Sequence, residues 1–120
     1  MCFVLGLGLE AANKVPDFES EHFAFYSEAP RSVVEKQTLK EVAESTRKLL
    51  EPWTPEWKTR RRIRLFDSEA AYLNAGGIRV SGGVHRSDNG DVLLRLTDGN
   101  ISKAEQRILI HEVTSWKPIL

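Results

Sequence analysis

The 120-residue chain has no excess of either charge: seventeen Lys and Arg balance seventeen Asp and Glu. A partner held by bulk charge, nucleic acid above all, normally needs a basic footprint, and the composition supplies none. The one cysteine, Cys2, permits no internal disulfide and no Cys-x-x-Cys pair for a metal ribbon. No apolar run approaches the roughly 20 residues that span a bilayer. Internal repeats and low-complexity tracts are absent, and no linker divides the chain. What remains is an ordinary globular composition, 41% hydrophobic and 28% charged. A chain of this size buries roughly two-thirds of its surface on folding, enough for one modest core.

The amino end stands apart. Cys2 to Leu9 reads CFVLGLGL, the length of a signal-peptide apolar core, but no Lys or Arg precedes it. Residues 1–14 are read as a remnant of a signal peptide or a frayed terminus, with a first strand as the plain alternative. Gly6-Leu7-Gly8 lacks the third glycine of a dinucleotide fingerprint.

From residue 15 onward the pattern predicts a single domain. His22 to Ser27 alternates, with Phe23 and Phe25 on one face and Ala24 and Tyr26 on the other. Ser32-Val-Val-Glu35 forms a capping box, in which Glu35 is expected to reach back to the cap. Leu39, Val42, Ala43, Thr46, Leu49, Leu50 and Trp53 then recur as the stripe of a five-turn amphipathic helix. Arg62 to Phe66 alternates again. Asp67 or Ser68 can cap a short helix that stops at Gly76-Gly77. Segments 82–86 and 91–96 flank Ser87-Asp88-Asn89-Gly90, a strong hairpin signal. Val92, Leu94 and Leu96 are expected on one face and Leu93 and Arg95 on the other. Gly82-Gly83 are read as turn residues. Ser102-Lys-Ala-Glu105 opens a last helix through about Thr114, and Ile108-Leu109-Ile110 predicts that its middle is buried. Helices over a mixed or antiparallel sheet make this an α+β fold.

The last helix carries the chemistry. Burying His111 and Glu112 side by side is unfavourable by several kcal/mol, on the order given for unpaired polar groups, unless each finds a partner. In a His-Glu-x-x-His helix two imidazoles four residues apart face one metal, and the Glu serves as general base for its water. Here His111-Glu112-Val113-Thr114 is followed by Ser115, whose hydroxyl is a poor zinc ligand. A bare His-Glu pair is more often a satisfied polar pair than a metal site.

The surrounding order adds to it. RIRLFDSEAAYLNAGG, then SGGVHRSDNGDVLLRL, then the capped ILIHEVT helix resemble bacterial zinc-metallopeptidase domains of the gluzincin kind, which are secreted or envelope-associated. In that group a strand and short helix lead to a glycine-flanked edge hairpin, and the next helix bears the zinc motif. The resemblance spans roughly Phe18 to Thr114. It implies the upper subdomain of a zincin-like fold, with His111 matching the first zinc ligand and Glu112 the general base. Zinc is the parent family's cofactor and peptide hydrolysis by a zinc-activated water its reaction. The second ligand falls at Ser115, and a third would come from a later helix, so 15–120 is read as truncated at its carboxyl side. Weak or no zinc binding and no peptidase turnover are expected of this chain alone.

The rival reading is a non-enzymatic binding module, whose edge hairpin, Gly82 to Leu96, pairs with an extended peptide or protein segment. His22 and His85 are read as surface or hydrogen-bonding residues. Lys58 to Arg64 (KTRRRIR) lacks aromatic interleaving; Arg62 and Arg64 are expected to blunt a strand edge, and nucleic acid is not expected as a partner. Apolar residues on several sides of the last helix also predict self-association.

Overall fold

A computed structural model describes residues 15–53, 59–79, 82–85, 91–96 and 101–114. The candidate signal segment 1–14, the Ser87–Gly90 turn and Ser115 lie outside these residues.

The described residues include five strands: β1 (Phe18–Glu19), β2 (Phe23–Ser27), β3 (Arg61–Phe66), β4 (Gly83–His85) and β5 (Val92–Arg95). They form one mixed sheet in the order β1-β2-β3-β5-β4. The central strands β2, β3 and β5 are parallel, and the two outer strands run antiparallel to their neighbours. With three α-helices, α1 (Val33–Leu50), α2 (Glu69–Asn74) and α3 (Lys103–Thr114), the fold is α+β. β1 is too short to leave an alternation signal, and the sequence reading misses it.

Register turns the alternation into rows. Phe18 pairs with Phe25, Phe25 with Ile63, Ile63 with Val92, and Val92 with His85, one line across one face. That face meets Leu39 and Ala43 of α1 and Leu109 and Val113 of α3 in the main core. On the other face Leu93 and Phe66 pack with Tyr72 of α2, Phe66 and Tyr72 meeting edge to face at 6.2 Å. The expected split of β5 is met: Val92, Leu94 and Leu96 in one core, Leu93 in the other.

The helix ends follow their chemistry. Ser32 Oγ accepts from the Glu35 N–H at 3.1 Å, and Ser68 Oγ from the Ala71 N–H at 3.2 Å. At the end of α2, Gly76 takes φ 111°, while the Gly76 and Gly77 N–H groups donate to the carbonyls of Leu73 and Tyr72. That glycine-dependent stop is what Gly76-Gly77 predicts.

Four expectations need correction. Glu35 does not close its capping box: Oε1 faces Arg31 at 3.5 Å and Oε2 has no hydrogen-bond partner, because the buried guanidinium competes for the carboxylate. Leu49 is 75% exposed. At about 100° per residue it lies roughly 80° round the helix from Leu39, and the buried stripe passes instead through Glu35, Leu39, Ala43, Thr46 and Arg47. β3 is central, so Arg62 and Arg64 protect no edge. Arg62 Nε donates to buried Asp91 at 2.8 Å, and the Arg64 guanidinium sits 5.4 Å over the Phe66 ring. Finally, α3 is not buried all round: Leu109 and Val113 face the core, while Ile110 is 41% exposed.

Candidate functional site

Helix α3 brings His111 and Glu112 to the sheet's β4 edge. Its start is fixed by a complete capping box: Ser102 N–H donates to Glu105 Oε1 at 2.9 Å, and Glu105 N–H to Ser102 Oγ at 3.1 Å. The twelve-residue helix then lies across α1, β4 and β5 on the face that carries Glu105, Leu109, Glu112 and Val113. The approach to β4 is close. A Cβ on Gly83 would stand 2.6 Å from Ile108 Cγ2 and 3.3 Å from both Glu112 Cγ and the Leu93 carbonyl oxygen. One on Gly82 would stand 2.8 Å from Ile108 Cδ1. The paired glycines therefore serve helix-on-strand contact rather than a turn; neither takes a positive φ.

That contact buries Glu112 and leaves its neighbour in water. Burial pushes the Glu112 carboxyl above its usual range, opposed by the nearby His111 and by a backbone hydrogen bond from His85. His111, a third of a turn back, is exposed, so the imidazole and carboxylate are not buried together as the apolar run suggested. His85 stands half-buried on β4, its imidazole held below the ordinary pKa by burial first and then by the Arg61 charge, with Asp91 pulling the other way. The sequence reading missed this grouping of His85, Arg61 and Asp91. Its signal is the hairpin register His85↔Val92, which sets His85 one residue from Asp91.

As a metal centre the arrangement falls short. Among the described residues no three His, Cys, Asp or Glu side chains are gathered as a metal ion would need. His111 is one imidazole donor, and the residue four positions on is a serine. The donor set at the matching positions does not fit a catalytic zinc, which takes three protein ligands. The arrangement does offer a carboxylate of raised proton affinity beside the main chain of an edge strand.

Gly83→Ala tests the packing. Moving Ile108, a stiff β-branched side chain on the helix, is expected to lower stability by about 1–3 kcal/mol. A urea midpoint equal to the wild type's would show that α3 rests less tightly on β4.

Comparison with protein-family models, with curated proteins and with solved structures finds no match to this chain. Among the described residues no helix is long and apolar enough to cross a membrane.

Proposed function

We propose that the chain is a metallopeptidase-like α+β domain related to the upper subdomain of gluzincin-type zinc peptidases, and that its zinc site is incomplete and non-catalytic. The observation that carries this reading is Glu112, buried where α3 crosses the edge strand and receiving a backbone hydrogen bond from His85, with His111 next to it in solvent. By the resemblance Glu112 matches the family's general base and His111 its first zinc ligand. The element order supports the same reading: two strands, long helix, strand, short helix, glycine-flanked edge strand, a further strand and the capped His-Glu helix. Ser115 takes the place of the second imidazole, and hydrolysis is accordingly not expected.

The alternative of a binding module rests on β4 being the terminal strand of the sheet. An extended peptide segment can add to such an edge through main-chain hydrogen bonds alone. Self-association through the outer side of α3, where Ile110 is exposed, goes with the metallopeptidase reading, and a clean monomer would favour the binding module.

Ser115→His separates the two. Restoring an i, i+4 imidazole pair is expected to tighten zinc binding measurably, a gain lost again on His111→Ala, while casein hydrolysis stays absent because two imidazoles do not complete the set. Unchanged zinc affinity would remove the metallopeptidase reading and leave the binding module.

A further inference from the structure

We propose that α3 is a helix held in place by protons: it lies docked on α1 and β4 while the carboxyl groups of Glu35 and Glu112 are neutral, and it lifts away when rising pH ionises both. The buried residues of α3 are Glu105, Leu109, Glu112 and Val113, so half of the row it turns inward is acidic. The buried row of α1 opens with Glu35 and continues through Leu39 and Ala43. Leu39, Ala43, Leu109 and Val113 share the main core, and Glu35 and Glu105 stand in the first turns of the two helices. The contact between α1 and α3 thus carries acids at its starting end and Glu112 further along.

The guanidinium that faces Glu35 is shared. Arg31 Nε donates to Ser27 Oγ at 2.9 Å and Nη2 bonds the Asp67 carboxylate, while Nη1 stands 3.5 Å from Glu35 Oε1, the outer limit of a hydrogen bond. Glu35 Oε2 has no hydrogen-bond partner on a side chain that is 1% exposed. A negative oxygen buried without a donor is strongly disfavoured, and a proton on the carboxyl removes that charge. Burial raises the Glu35 pKa most, Arg31 opposes it in part, and the charges of Asp67 and Glu105 raise it further. Arg47, also buried on α1, lies at the far end of that helix and pairs with Glu51 at 3.3 Å.

Glu112 repeats the arrangement against β4. The Gly83 main chain comes so near that an added Cβ would stand 3.3 Å from Glu112 Cγ, and burial is the largest influence on the carboxyl, pushing its pKa up. His111 on the same helix and the His85 backbone N–H on β4 oppose that rise; Arg61 and Asp91 act on the His85 imidazole behind it. A carboxyl whose folded pKa lies above the unfolded 4.5 contributes stability that is fully present below 4.5 and lost as the pH rises through the folded value. Both losses fall on contacts of one helix, so α3 opens locally before the sheet does. Lifting it uncovers Leu39 and Ala43 of α1 and the Gly83 side of β4.

Amide hydrogen exchange of the full chain tests this, read by mass spectrometry between about pH 5 and about pH 9 and divided by the chemical exchange rate at each pH. Protection of the α3 amides is expected to fall by about tenfold or more across that range, while protection in β2 and β3 holds. Glutamine has the size of the neutral acid, so the double variant Glu35→Gln, Glu112→Gln should fold and keep α3 protected at every pH. Each single variant should show a smaller fall than the wild type. Protection of α3 that does not change with pH overturns the proposal. So does an equal loss in β2 and β3, which would mean global unfolding, or a double variant that loses protection as the wild type does.

Discussion

Replacing Arg31 by methionine is expected to lower the free energy of unfolding by about 3–5 kcal/mol, the range for removing one partner from a buried ion pair. The Arg31 side chain is 2% exposed and ties together the carboxyl ends of two parallel strands. Its Nε donates to Ser27 Oγ at 2.9 Å, Nη1 faces Glu35, and Nη2 bonds the Asp67 carboxylate. Beside it, Glu28 accepts from the Asp67 and Ser68 N–H groups, so both loops share one knot of charge. Without the guanidinium, Glu35 and Asp67 face each other with no cation between them. Equilibrium urea unfolding reads the loss directly, and an unchanged midpoint would show that the carboxylates relax into water.

Glu35→Gln is expected to act in the opposite direction. Burial raises the Glu35 pKa most, Asp67 and Glu105 raise it further, and Arg31 only partly opposes them. The fold thus favours the neutral acid. Its contribution is fully present below the unfolded carboxyl value of 4.5 and is lost as the pH rises through the higher folded value. Glutamine mimics the neutral form at every pH. The variant should therefore exceed the wild type at neutral pH, the difference closing toward about pH 4. Glu28 and Glu44, whose pKa values are lowered, contribute stability that is lost as the pH falls.

Phe25→Ala carries the second large effect, about 3–5 kcal/mol. Phe25 is fully buried, stacked on Phe18 at 4.6 Å between ring centres and 6.4 Å from Phe23. It stands in the row that joins β1 to Ile63 and Val92, so truncation opens a cavity under three strands. At a slope of about 2 kcal/mol per molar, the urea midpoint should fall by about 2 M. Leu49→Ala, on the exposed flank of α1, should stay within about 0.5 kcal/mol. A larger loss there would mean that Leu49 is covered.

Much of the fold was legible because local signals agree with tertiary demand. Ser68, Gly76, Ser102 and Glu105 act within a few residues of themselves, and their caps form as their spacing predicts. The alternation of β2, β3 and β5 likewise reports a face before any partner is known. Long-range terms hid the rest. Glu35 was drawn from its cap by Arg31 and Asp67, which no local pattern couples to it. Gly83 looked like a turn residue because Ile108, the side chain that demands its missing Cβ, lies on a later helix. Strand order is equally silent: Arg62 and Arg64 on one face suggested an edge, while the pairing placed β3 in the centre. Of the candidate site, Glu112 could be singled out as a charge in an apolar run, but its contact with the His85 main chain could not.

The strand order also dictates a sequence of assembly. β5 lies between β3 and β4 in the sheet, although β4 precedes it in the chain. A nascent chain that has reached His85 can close the β1–β2 hairpin and dock α1 under β2 and β3, but β4 then has no neighbour to pair with. Only when β5 inserts beside β3 does the edge exist, and only then can α3 fold onto it and enclose Glu112. Each parallel pairing must also close a long intervening loop, which makes such contacts late and slow. The part of the molecule that holds the His-Glu pair is thus completed after the other described elements, its pairing groups exposed until α3 arrives.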